Sequence, residues 1–408
     1  MKKLLLFTIS LISIASIQAQ TINDNKVSFS YIQLPLIQID KALNTYEIRV
    51  EHGYQQANSD SLEFFQLRQQ VALENYERAL ITYESQCKNI DRIHLENLAN
   101  WQKKVNSGVT NADGTMLPKP NPPLYPQRPI YPMLKAPRLH SEYSNELVDQ
   151  SINLEGFEKG MGGSIVTVNI LPIREVRIIK SKSGSGSSTK YKYRCEYVLP
   201  IELTLQSPTQ GNLIETVILN EKKSYQMKDY KSEFEHELYM LDNEDRFFSD
   251  LELYARRNAL NATNTYLNDQ AGFVKRTRST EIYSVKRFKN YEYSDVTNAY
   301  SKTVSALQLI ANERDRSGAR AQLEQALAAW EQIMEESNTF DNKARINDKI
   351  SAMIQCNIAE IYVWMARFNE ANAMINQVKN AGVLKGKTHA KRVDSYYLSL
   401  QKRWDLNF

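Results

Sequence analysis

LENYERALITYESQCKNI, residues 73–90, carries Leu73, Tyr76, Leu80, Tyr83, Cys87 and Ile90 at alternating spacings of three and four. This is the a/d seam of a helix with one apolar stripe. The seam runs on through His94, Leu98 and Trp101 to Gly108, so one long helix or a tight helical pair is expected over 61–106. A projecting coiled coil would bury such a stripe, and so would an amphipathic helix laid on a sheet. In the coiled coil Gln66, Gln69 and Asn97 would be polar knobs, so both arrangements stay open.

Strand patterns flank this helix. Upstream, VSFSYIQLPLIQIDKALNTYEIRV (27–50) alternates β-branched and aromatic residues with polar ones around a Leu-Asn-Thr break. It reads as two strands, and Pro35 confines the first to an edge or a bulge. Downstream, alternation resumes at 151–157, 163–180, 191–207 and 213–219, with the Ser/Gly stretch 181–188 as a hairpin tip. A helical pattern covers about 230–268, a strand or hairpin 272–288, and helices everything from 294 onward.

Between the helix and the later strands lies a connector, 107–137. Eight of the chain's twelve prolines fall in PKPNPPLYPQRPIYPMLKAP (118–137), which favours extended polyproline II. Leu124, Tyr125, Ile130, Tyr131, Met133 and Leu134 interleave with them. The segment is either a docking strap, with Tyr125 and Tyr131 as contact residues, or a stiff return path along the long helix.

The first residues, MKKLLLFTISLISIASIQAQ, combine a basic start, a short apolar run and Ala19 before Gln20. This is the layout of a secretory signal, expected to span 1–19. Its loss removes Lys2 and Lys3 from a formal net charge of +4 and leaves +2, too weak for a nucleic-acid partner. No later stretch is apolar for the length of a membrane helix. Cys87, Cys195 and Cys356 are too few and too scattered for a disulfide framework and read as free thiols. The expected address is therefore export, to the periplasm, the outer membrane or the cell surface.

QCNIAEIYVWMARFNEANAMINQV (355–378) resembles a tetratricopeptide repeat. Ala359 stands at the small position of helix A, with Tyr362 three further on. Arg367 and Phe368 fill the turn, and Ala371, Ile375 and Val378 match helix B. Gln355 departs from the usual large apolar residue, and Arg367 from the turn glycine. A weaker helix-B match at Ala319, Leu323 and Ala326 lies 52 residues upstream, against a family period of about 34. The resemblance covers roughly the last 110 residues and implies protein binding without chemistry. Trp364, Arg367 and Phe368 are the contact residues it suggests. Signal ending, tyrosine-rich strands and degenerate repeats together resemble exported envelope proteins of the Bacteroidota.

Chemistry leaves little trace. His52, His94, His140, His236 and His389 lack metal spacing, and no serine or cysteine has a local catalytic partner. The glycines 156, 160, 162 and 163 precede a strand, whereas phosphate loops follow one. Lys275, Arg276, Arg278, Tyr283 and Arg287, in a basic and aromatic run, suggest contact with an anionic polymer, a glycan or peptidoglycan. The plain alternative is an edge strand protected by charge.

The expected fold is α+β. A mostly antiparallel, β-rich region (20–290) carries the coiled-coil-like helical insertion. A helical repeat-like domain (291–385) and a tail (386–408) follow. The expected function is a non-catalytic envelope binding or scaffold protein with no metal or cofactor, engaging another envelope protein. A glycan-binding module is the alternative, and a hydrolase with dispersed carboxylates stands third.

Overall fold

The structure, a computed structural model, describes residues 21–184, 190–312 and 314–408. The segment read as a signal lies outside them, as does the second half of the Ser/Gly hairpin tip, 185–188.

The fold is mixed α and β, with antiparallel sheets mainly in the N-terminal half and helices toward the C-terminus. Two hydrophobic cores organise it. The first is built on a five-stranded sheet. Its strands β2 (Thr45–Glu51), β3 (Glu158–Lys159), β4 (Ser164–Ile170), β7 (Ile201–Ser207) and β8 (Gly211–Leu219) lie in the order β3-β2-β4-β7-β8. The alternation read in the sequence appears here as alternating burial, with Val166, Val168 and Ile170 of β4 facing Leu203 and Leu205 of β7 across antiparallel pairs. A three-stranded sheet joins β5 (Arg174–Ser183), β6 (Lys190–Val198) and β9 (Lys222–Gln226). Helices α2 (Asn145–Ser151) and α3 (Glu233–Ala271), the latter kinked at Asn243, complete this core.

The second core joins segments remote in sequence. Strand β1 (Thr21–Gln33) pairs antiparallel with β10 (Val274–Arg287), Val27 opposite Thr280 and Phe29 opposite Arg278. Five helices share one core with this ribbon: α4 (Ser294–Leu309), α5 (Ser317–Met334), α6 (Asp348–Trp364), α7 (Phe368–Asn380) and α8 (Leu384–Asn407). The start of the described chain thus belongs with the C-terminal helices, and the body is discontinuous rather than beginning at 291. Nor is 386–408 a tail: it is helical, with Ala390, Val393 and Tyr397 in the core.

Helix α6 sits at the centre, buried along nearly its whole length. Its Asn357, fully buried, accepts from the Tyr283 N–H at 2.9 Å and donates to the Tyr283 carbonyl at 2.9 Å. One side chain thereby satisfies two backbone groups of β10 that no strand pairs on that side. The Asn357→Leu substitution strands both groups, and unfolding titrations should show a loss of about 2–4 kcal/mol, since each buried unsatisfied group costs about 1–3 kcal/mol.

Candidate functional site

Strands β2 and β4 are parallel neighbours, so the chain between them must cross over. It does so through a long excursion. Helix α1 (Gly53–Asn106) leaves the sheet as a single element of 54 residues, about 80 Å long at 1.5 Å per residue, and only Tyr54 is buried. It begins eight residues before the expected 61 and does not break into a pair.

The seam lies neither on a second helix nor on the sheet. Leu73, Tyr76, Leu80, Tyr83, Cys87, Ile90, His94, Leu98 and Trp101 are all half-buried while their neighbours, Ala72 apart, are exposed. What shields them is the proline-rich connector, running antiparallel along α1. Trp101 Nε1 donates to the Leu117 carbonyl at 3.0 Å, the Tyr125 hydroxyl donates to Asp91 at 2.5 Å, and Tyr131 meets Tyr76 edge-on at 5.5 Å. At the base, Asn58 exchanges two hydrogen bonds with the His140 backbone.

Burial along the connector has a period of three. Leu117, Pro120, Pro123, Pro126, Pro129 and Pro132 are half-buried and the two residues between each pair are exposed. After a one-residue slip the period resumes at Leu134, Pro137, His140 and Tyr143. Three residues per turn is the polyproline II repeat. Prolines therefore form one edge, laid on the Tyr/Leu seam of α1.

The arm so formed is clamped where it meets the body. Gly53 N donates to Asn169 Oδ1 of β4 at 2.9 Å, capping α1 from outside, and a Cβ at Gly53 would meet Leu171 at 2.7 Å. Glu252 of α3 is buried, with its Oε1 2.6 Å from His140 Nδ1 and its Oε2 accepting from Ser141 N at 2.8 Å. Arg256, also buried, lies 3.6 Å from Glu252 and covers the Tyr54 ring at 4.6 Å. Burial alone would raise the Glu252 carboxyl, but the bonds from His140 and Ser141 and the Arg256 charge outweigh it and hold it below the usual range.

The structure places the residues singled out in the sequence as follows. Tyr125 and Tyr131 lie on the arm, half exposed. Trp364 and Phe368 are core residues, and both Phe29 and Tyr31 meet Trp364 edge-on at 5.0 Å. Neither ring faces outward, because β10 and α8 cover the side of α6 that an open repeat would leave free. Arg367 lies over Tyr362 and pairs with Glu370 at 2.8 Å. The turn residue with positive φ is Ala366, one position earlier. On β10, Lys275 and Arg287 are exposed and Arg276 is half-buried. Tyr283 is buried and cannot stack on a sugar ring, while Arg278 turns toward Glu360 at 3.6 Å. The strand thus offers cations to the outside without an aromatic partner from Tyr283, which serves the core.

A cleft of about 450 Å³ lies where the two bodies meet and is lined by Leu34, Ile39, Phe157, Phe273 and Arg314 among others. The bodies are held there by Arg403 of α8, which donates to the carbonyls of Leu34 and Asp269 at 2.8 and 2.9 Å. Among the described residues no three His, Cys, Asp or Glu side chains converge as a metal site, and no helix is long and apolar enough to cross a membrane. Compared with known proteins, the chain matches no family model, no curated protein and no solved structure.

Two measurements test the arm. Replacing Pro123, Pro126 and Pro129 by glycine frees the detached strap by about 0.4–1 kcal/mol per residue, so limited proteolysis within 107–137 should accelerate by roughly 10-fold while far-UV circular dichroism stays unchanged. The clamp should depend on pH. Because the folded Glu252 pKa is depressed, its contribution is complete above the unfolded carboxylate value, about 4.3, and disappears as pH falls through the folded value. The native chain should exceed Glu252→Gln by about 2 kcal/mol at neutral pH, and the gap should close below about pH 4.

Proposed function

We propose that this chain is an exported, non-catalytic binding or scaffold protein of a cell envelope and that its arm is the element that engages a partner protein. The observation that supports this most directly is the arm's outer surface. On α1, Phe64, Leu67 and Val71 form an apolar ridge, 61, 59 and 48% exposed, at spacings of three and four, and Leu67 and Val71 line an open groove beside Leu134 of the strap. On the strap, Leu124, Ile130 and Met133 point outward, Leu124 being 91% exposed. Isolated exposed apolar residues are ordinary, but a contiguous set along one stiff projecting element marks an interaction surface.

The sheet-built body serves as the arm's base, and the helical body lies beyond it. Its repeat-like pair α6 and α7 is enclosed by β10 and α8, which moves the contact surface from a concave repeat groove to the arm and the outer helices. Tyr125 and Tyr131 remain contact residues in this reading, whereas Trp364 and Phe368 act from inside as packing.

Leu67→Glu combined with Val71→Glu changes only exposed positions, so the fold should persist. Cross-linking in the native host should recover a defined envelope partner with the native chain and at least 10-fold less with the variant. Equal recovery by both, or a turnover measured with the isolated protein, would refute the reading.

A further inference from the structure

The second core carries a built pocket that the arm does not involve. It lies between the β1–β10 ribbon and α8, encloses about 250 Å³, and is lined by Lys26, Arg278, Ser279, Thr280, His389 and Arg392, with Glu281 at its side. His389 is 2% exposed, and neither of its ring nitrogens has a hydrogen-bond partner among the described residues. Arg278 Nε is likewise buried without a hydrogen bond. Native interiors pair such atoms, and a buried polar group left unpaired is costly.

The carboxylates nearby are already engaged. Glu281 takes Arg392 at 2.6 Å and the Tyr283 hydroxyl at 3.1 Å. Glu360, fully buried behind Arg278, accepts from Trp364 Nε1 at 3.1 Å and the Tyr396 hydroxyl at 2.6 Å and lies 3.6 Å from Arg278 Nε, an ion pair too long for a hydrogen bond. Lys26 makes no ion pair among the described residues. Burial pushes the His389 imidazolium toward its neutral form, in which one ring nitrogen is an N–H donor. Arg278 and Arg392 are thus each matched by one carboxylate, and Lys26 leaves the pocket with one positive charge in excess, beside N–H and O–H donors whose nearby acceptors are spent.

We propose that this pocket binds an oxyanion of the phosphate class. Lys26 and the guanidinium groups of Arg278 and Arg392 supply the charge, the hydroxyls of Ser279 and Thr280 and the His389 N–H supply directed donors, and the ligand's oxygens accept from the Arg278 Nε–H and the His389 N–H that the protein leaves unpaired. At about 30 Å³ per water the space equals about eight waters, enough for a phosphate together with a small esterified group. Neither the arm nor a protein partner enters this inference, and it stands or falls apart from that reading.

Thermal denaturation of the full mature chain tests it with inorganic phosphate, a small phosphomonoester and sodium chloride at matched ionic strength. Phosphate or the ester should raise the midpoint progressively with concentration while chloride does not, and the stronger of the two distinguishes a free anion from an esterified group. His389→Phe removes the unpaired nitrogens and keeps an aromatic ring, so its ligand-free midpoint should equal or exceed the native one while its phosphate affinity falls at least 10-fold. Lys26→Ala, at an exposed position, should weaken binding several-fold and leave the ligand-free midpoint unchanged. A native chain indifferent to both phosphates beyond the chloride control overturns the proposal, as does a phosphate response that both variants retain in full.

Discussion

A polyproline II strand rises about 3.1 Å per residue and an α-helix about 1.5 Å, and the arm depends on matching the two. From Asn58 to Trp101 the helix climbs about 65 Å, and from Leu117 back to His140 the strap covers about 71 Å. Contacts pinned at both ends and at Asp91 and Tyr76 between them keep the two in step. Proline suits this task because its fixed φ leaves little entropy to lose and because it has no N–H to satisfy. A strap of ordinary residues would need hydrogen-bond partners that a helix surface cannot provide. The long helix thus stands out from the body without a second helix beside it.

The body fits this architecture. Since β2 and β4 are parallel, their connection has to leave the sheet and return on the same side, and the arm is that connection. Its base is fixed by polar groups from both flanking elements, Asn169 on β4 and Glu252 on α3. The second body is closed differently, by pairing the first described strand with β10 and gathering five helices into one core with the ribbon. Arg403 and Asn407 then tie α8 to the β1 exit, so the two cores meet through buried polar links as well as apolar contact.

Much of the fold was legible. Alternation located β2, β4, β6, β7 and β8, and the 3.6 period located α1 and α3 to α7. Strand β9 was missed because KKSYQ is short and polar, its pattern set by partner β6 alone. Helix α8 was set aside as a tail because its polar composition hides His389 and Arg403, both buried through tertiary partners. The candidate site was less legible. Every third proline was visible as letters, but the period has meaning only against a surface. Trp364 looked like a contact residue because aromatic side chains on a repeat-like helix can serve a groove or a core with the same letters. The pocket between the ribbon and α8 had only Arg278 as a signal, since Ser279 and Thr280 beside it are unremarkable as letters and its remaining members come from β1 and α8.

By itself the sequence determined the local elements: a helix with a continuous apolar seam, strands with alternating faces, and an extended proline-rich segment. These follow from period, backbone restriction and turn chemistry, which act over a few residues. Only the tertiary structure decided what covers each apolar face. The seam met a proline edge, β1 joined a strand some 250 residues away and α6 lost its open side to β10 and α8. Hydrophobic burial rewards any apolar cover in proportion to area and is indifferent to which segment supplies it, so the choice among covers rests on chain connectivity and shape that no local pattern records.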